Sequence, residues 1–143
     1  MRLVHPKPTP RNAEALRALV KGTLRSTETW EARLSAAGEE EDADTAKGQA
    51  WADLVRKRKI GYFALLRNLR NILDQAPDCV DDACEMLTDE KLIRKSLVLP
   101  FRYSTAYEEL RGVKGSANVI KAISKAIDIA VDNVPALSGQ TLV

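Results

Sequence analysis

The chain has 143 residues, of which 45% are hydrophobic and 5% aromatic, with a formal net charge of +2 at pH 7. This length suits one domain with a modest core, and no apolar run approaches the ~20 residues of a membrane span. One histidine and two cysteines, without a P-loop, GxGxxG, GxSxG or HExxH motif, favour neither catalysis nor a structural metal. We therefore expect a non-catalytic cytoplasmic protein with no cofactor, metal or membrane partner.

The predicted elements are all helical. Prolines at positions 6, 8 and 10 make residues 1–10 an extended lead-in. Apolar residues then recur at helical spacing, and punctuation by glycine, proline and N-cap residues predicts helices over about 11–25, 26–37, 47–75, 79–87, 88–96, 103–113 and 116–133. N-caps are expected at Ser26 or Thr27 and at Thr88, and Gly61 is expected to divide the third helix into two antiparallel helices.

About seven or eight short helices in antiparallel pairs are typical of irregular HEAT-like repeats. The fold class is therefore predicted as all-α, an α-solenoid fragment, because the helices of a four-helix bundle would be longer and more equal. After Pro135, residues 138–143 have the pattern of a linker followed by the start of a buried strand. We expect residues 1–135 to form one helical module and residues 136–143 to lead into a further domain.

Charge is unevenly distributed along the chain. Residues 39–44 carry five acids, residues 78–90 carry six acids and no base, and four consecutive bases occupy 56–59. Arg67 and Arg70 extend this basic block, which is typical either of a polyanion-binding face or of a solvated helix surface. The first interpretation predicts RNA binding by the block. In an alternative function, a helical scaffold without direct RNA binding would use its acidic segments to dock a basic protein.

Aromatic residues adjoin several bases. Tyr62 and Phe63 follow the basic block, and Phe101 and Tyr103 flank Arg102. Exposed rings of this kind can stack on unpaired bases while the cations bind phosphates. The competing interpretation places Phe63, Phe101 and Tyr107 in the core and pairs Arg67 with Asp74.

Four segments occur in the order and spacing of a known family. They are Leu-Val-His-Pro-Lys-Pro at 3–8; Trp51 followed by Ala-Leu-Leu-Arg-Asn-Leu at 64–69; Leu-Pro-Phe at 99–101 followed by Ala-Tyr at 106–107; and Gly-Gln-Thr-Leu-Val at 139–143. Together they resemble the second half of the TROVE domain of the Ro autoantigen family. In that family the last segment leads into a metal-binding domain of the von Willebrand factor A type.

The resemblance implies HEAT-like helices closed into a ring that binds misfolded RNA and small non-coding RNA of the Y type, with single-stranded ends threading the ring. It assigns His5 and Lys7 to the RNA-binding surface. It also matches Arg67 and Asn68 to a family motif, either as RNA contacts or as residues that brace helix packing. Since the first half of the ring is missing, we expect the chain either to associate with other copies or chains or to repack into a smaller globule. The predicted RNA-binding residues are His5, Lys7, Arg56, Lys57, Arg58, Lys59, Arg67 and Arg70.

Overall fold

The computed structural model describes residues 7–23 and 29–134, and within these ranges every regular element is a helix. The helices are α1 (Ala13–Val20), α2 (Trp30–Ala37), α3 (Ala43–Arg56), α4 (Tyr62–Arg67), α5 (Leu69–Gln75), α6 (Val80–Leu87), α7 (Glu90–Ser96), α8 (Pro100–Leu110) and α9 (Ala117–Ala130). Short 3₁₀ turns occupy Pro77–Cys79 and Val131–Asn133. The all-α prediction is confirmed, whereas the predicted linker and strand at 136–143 lie outside the described residues.

The long helix predicted over 47–75 is divided twice. The break expected near Gly61 is confirmed, since α3 ends at Arg56 and α4 begins at Tyr62. A second break at Asn68 was not predicted. There the backbone leaves helical geometry (φ −111°, ψ 13°), and the side-chain amide of Asn68 donates to the carbonyl of Ala64 at 2.8 Å. This extra break raises the count in the described residues to nine helices.

Helix starts differ from the predicted ones by a few residues. The N-cap expected at 26 or 27 lies outside the described residues, and α2 is capped by Thr29, which accepts from the amide of Ala32 at 3.2 Å. The prediction that Thr88 caps the seventh helix is wrong, because Asp89 accepts from the amide of Leu92 instead. The predicted start of the eighth helix at Tyr103 is also wrong, because residues 100–102 are helical. Pro100 is the first residue of α8, a position where its missing N–H costs nothing.

The core lies where α9 crosses three earlier helices. α9 packs against α6, α7 and α8, while α3 packs mainly against α2 and α5. Ile123 and Ala126 of α9 are fully buried, as are Leu87, Ile93 and Tyr103 on the helices beneath. Contacts are therefore not restricted to sequential pairs, and the HEAT-type repeat remains a prediction. No helix in residues 7–23 and 29–134 has the length and apolar character needed to cross a membrane.

Two tyrosines meet in the core with different hydrogen bonding. The rings of Tyr62 and Tyr103 lie 6.2 Å apart. The Tyr62 hydroxyl donates to the carbonyl of Leu87 at 2.8 Å, and burial raises the pKa of this phenol. The buried hydroxyl of Tyr103 has no partner among the described residues. A buried polar group without a hydrogen bond costs stability. The Tyr62 hydroxyl should therefore raise the free energy of unfolding and the Tyr103 hydroxyl should lower it.

We expect Tyr103→Phe to leave the free energy of unfolding unchanged or raise it by about 1 kcal/mol, because it removes an unsatisfied buried hydroxyl. Tyr62→Phe should lower it by about 1–2 kcal/mol, because the buried Leu87 carbonyl loses its donor. Urea unfolding of both variants measures the difference. Equal destabilisation by the two substitutions would contradict this assignment.

Candidate nucleic-acid interface

The predicted RNA-binding residues occupy separate places on the fold. His5 lies outside the described residues, and Lys7 is exposed ahead of α1. The four bases at 56–59 are all exposed at the end of α3 and in the loop that follows. Arg67 and Arg70 are exposed on α4 and α5. These predicted residues therefore do not form one continuous basic surface.

The first base of the block is held by two carboxylates. The guanidinium of Arg56 lies 2.9 Å from the carboxylate of Asp78 and 3.1 Å from that of Asp82. It also donates to the main-chain carbonyl of Asp78 at 3.0 Å. Hydrogen bonds to these two acids raise the pKa of Arg56. Its donors are thus engaged within the chain.

Arg58 and Lys57 are also paired. Arg58 lies 2.9 Å from Asp89 and 3.1 Å from Glu85, and its hydrogen bond lowers the pKa of Asp89. Lys57 lies 2.7 Å from Asp53, whose pKa is lowered chiefly by that hydrogen bond. Exposed pairs of this kind add little stability, but they cancel charge. Among the described residues, Lys59 alone of the four lacks a carboxylate within 4.0 Å.

The basic block and the acidic segment 78–90 are consequently partners of each other. Four of the six acids in that segment pair with Arg56 or Arg58, and Glu90 pairs with Arg94 at 2.9 Å. This arrangement weakens both sequence interpretations, the free basic face and the free acidic docking surface. The sequence shows that the two segments carry opposite charge, but only the folded structure shows that they contact each other.

A second cationic surface keeps its charge. The guanidinium carbons of Arg67 and Arg102 lie 5.7 and 5.6 Å from the centre of the Phe63 ring, and Arg102 lies 4.9 Å from that of Phe101. Neither arginine has an ion pair among the described residues, so the alternative pairing of Arg67 with Asp74 does not form. Cation–π contacts hold the guanidinium groups in place without neutralising them.

The rings on this surface are accessible. Phe63 is 38% exposed and Phe101 is 55% exposed, so the interpretation that placed them in the core is wrong. Tyr107 is half-buried against the core, and Tyr62 and Tyr103 are buried and cannot stack on a ligand. Sequence reasoning noted Arg102 beside Phe101 but did not join them to Arg67 and Phe63, which lie on another helix.

These residues border a groove between α4–α5 and α8. Its cavity of about 370 Å³ is lined by polar and aromatic residues and by four buried apolar ones: Phe63, Arg67, Arg70, Asn71, Arg102, Thr105 and Glu109, with Leu66, Leu69, Ala106 and Leu110. Arg70 lies 4.0 Å from Glu109, with both side chains about two-thirds exposed. We call this set, with Phe101, the cationic groove. Three arginines against one carboxylate give it a positive charge suited to phosphates.

The two residues of the Arg-Asn motif have different roles. Asn68 is half-buried, and its amide bonds to the Ala64 carbonyl while its side-chain oxygen accepts from Asn71 at 3.2 Å. Asn68 therefore braces the junction of α4 and α5. Arg67 faces the groove.

Neither cysteine is reactive in this setting. Cys79 and Cys84 are free thiols, and burial raises the pKa of Cys79 to about 11 and also raises that of Cys84. Both are therefore protonated at neutral pH. Within residues 7–23 and 29–134, no three His, Cys, Asp or Glu side chains are grouped so as to hold a metal ion.

Comparison with known proteins gives one family. The TROVE domain model matches residues 8–118, more than three quarters of the chain. The chain belongs to the TROVE family. Two of the segments that carry the resemblance, Trp51 to Leu69 and Leu99 to Tyr107, lie within this match, whereas 139–143 lies beyond it. TROVE proteins are RNA-associated ribonucleoprotein components.

Two curated relatives show the extent of the similarity. The TROVE chain is 31% identical over 99 residues to telomerase protein component 1 of Mus musculus and 29% identical over 99 residues to that of Rattus norvegicus. In both cases the match covers 68% of this chain and 4% of the relative. The chain thus corresponds to a small fraction of these relatives' length. No solved structure matches it.

Proposed function

We propose that this chain is a non-catalytic, cytoplasmic RNA-binding module that binds misfolded or small non-coding RNA, as Ro proteins do in RNA quality control. Membership of the TROVE family carries the proposal, since the family consists of RNA-associated ribonucleoprotein components. The two relatives are named as telomerase components, which agrees with a place in a ribonucleoprotein.

The cationic groove supports RNA as the ligand. Arg67 and Arg102 offer guanidinium groups free of carboxylates among the described residues, and Phe63 and Phe101 offer exposed rings beside them. Phosphates favour guanidinium groups, and unpaired bases favour aromatic rings. RNA that is structured but ends in a single strand supplies both. His5, Lys7 and the block 56–59 stay predicted contacts, although Arg56, Lys57 and Arg58 are paired with carboxylates.

A salt-titrated binding assay tests the proposal. We expect the chain to bind a structured RNA with a single-stranded 3′ tail more tightly than the matching blunt duplex. Contact with three phosphates of the tail should give a slope of log affinity against log salt of about −2. A neutral chain of the same tail length, joined to the same duplex, is the control for size. Absence of binding at low salt would overturn the proposal for this chain.

One observation favours the second function, a helical protein-interaction scaffold. α1 has no buried residue, and its Leu19 and Val20 side chains are 59% and 87% exposed. This apolar face suits contact with another copy or with chains that complete a ring. Self-association in light scattering, or partner capture that survives nuclease, would support the scaffold. A monodisperse monomer would count against association.

A further inference from the structure

An apolar cleft opens at the turn between α7 and α8, next to the cationic groove. Its volume is about 310 Å³, and it is lined by residues 96–99 together with Phe63, Phe101 and Arg102. It shares Phe63 and Arg102 with the cavity of the cationic groove. The cleft and the cationic groove therefore adjoin at these two residues, and together they offer an apolar part and a cationic part.

Leu97, which lines this cleft, has a strained backbone. Its φ of 53° lies in the left-handed region, which glycine adopts easily and leucine adopts at a cost. The Leu97 side chain is also 70% exposed, and Leu99 and Phe101 beside it are 36% and 55% exposed. Folding alone favours neither the strain nor the exposed leucine, and such strain is concentrated at functional sites.

The turn that carries Leu97 is fixed by hydrogen bonds. The Ser96 hydroxyl donates to the Ile93 carbonyl at 2.7 Å and accepts from the Val98 amide at 3.3 Å. The side-chain amide of Asn133, from the turn after α9, donates to the carbonyls of Ile93 and Val98 at 3.1 and 3.0 Å. The cleft is therefore formed before any ligand arrives, which lowers the entropic cost of binding.

We propose that this cleft holds one unpaired RNA base while the neighbouring phosphates lie on Arg102 and Arg67, an assignment that rests on the proposed function. A nucleotide joins an apolar aromatic face to an anion, which matches the apolar part and the cationic part. The guanidinium of Arg102 lies against the Phe101 ring at 4.9 Å and donates no hydrogen bond to the described residues. It can therefore donate to a phosphate beside a base stacked on that ring.

The cleft should accept any base. The polar groups of the turn are already bonded to one another, since Ser96 and Asn133 take up the carbonyls of Ile93 and Val98. Among the side chains that line the cleft, only Arg102 retains donors, and these serve the phosphate. Bases are distinguished by hydrogen bonds to their edges, so a cleft without such groups detects that a base is unpaired without reading its identity.

Fluorescence anisotropy with a hairpin RNA carrying a three-nucleotide 3′ tail tests this. Three tails of equal charge are compared, made of uridines, of adenosines or of abasic ribose-phosphates. The abasic tail differs from the other two only in lacking the bases. We expect the two base-containing tails to bind within about threefold of each other and the abasic tail about tenfold more weakly. Phe101→Ala should weaken binding of the base-containing tails about tenfold and that of the abasic tail less than about threefold, because Arg102 keeps its contact with Phe63.

Leu97→Gly separates ligand binding from folding. It relieves the strain of the left-handed backbone, so the melting temperature should stay the same or rise. Affinity for the base-containing tails should fall. Val131→Ala, at an exposed apolar residue outside the cleft, is the matched control and should change neither.

Equal binding of base-containing and abasic tails, or unchanged binding by both cleft variants, would overturn the assignment while RNA binding itself persists. If those variants instead alter self-association, the cleft is a protein contact. If the unsubstituted chain binds no RNA at all, the proposed function is wrong as well.

Discussion

Replacing Gly48 with alanine is expected to destabilise the fold by about 2–3 kcal/mol. A Cβ atom at this position would lie 2.4 Å from the backbone carbonyl oxygen of Gln75, at the end of α5. The obstructing atom belongs to a helix backbone, so α3 and α5 would have to separate. Alanine gains about 1 kcal/mol in helix propensity over glycine, which this clash outweighs.

The junction of α3 and α5 makes the effect visible by fluorescence. Trp51 donates from its indole to the side chain of Gln75 at 2.9 Å and stacks on Trp30 at 6.1 Å. Urea unfolding followed by tryptophan emission therefore reports on the same contact. Gly61→Ala is the matched control, because its φ is −68° and no atom lies within 4 Å of the added carbon. Equal stability of the two variants would show that α3 and α5 can move apart freely.

Replacing Arg67, Arg70 and Arg102 together with glutamine should weaken RNA binding about 100-fold at 0.1 M salt, because three phosphate contacts are lost. The slope of log affinity against log salt should become shallower by about 2. Glutamine retains a polar side chain of similar length, and all three positions are exposed, so the fold should persist. The melting temperature of the triple variant checks this.

The double variant Arg56→Gln and Arg58→Gln is the comparison. Both arginines already donate to two carboxylates, so we expect RNA affinity to change by less than about threefold. The sequence alone predicts a loss of affinity here too, because it counts the block 56–59 among the RNA contacts. A larger loss for the double variant than for the triple variant would show that RNA displaces the acids of α6 and of the turns on either side of it.

Helical periodicity and composition were enough to predict the fold class and the break near Gly61. Helix ends were less predictable, since Thr88 and Asp89 are both good N-cap residues and only the local geometry selects Asp89. The site was harder still. Whether Arg56 is free depends on Asp78 and Asp82, 22 and 26 residues away, and a charge pattern does not contain that contact.

Exposure of the rings was only partly predictable, since helical spacing places Phe63 on the side of Arg67 and Arg70, opposite the apolar stripe. Phe63 and Tyr62 are neighbours on one helix, yet Tyr62 is buried on Leu87 and Phe63 faces the groove. A phenylalanine within an apolar run reads as core because burial is its commonest fate. Only the packing of α4 against α6, α7 and α8 decides which ring is left outside.

Asn133 ties the far end of the helical region to the turn that carries Leu97. Its side chain bridges 35 and 40 residues of sequence to reach Val98 and Ile93. A deletion that stops short of residue 133 would release that turn even though every cleft residue remained. Deletion boundaries chosen from the family match, which stops at residue 118, would also remove most of α9. The smallest fragment that keeps the cleft in shape therefore extends through Asn133.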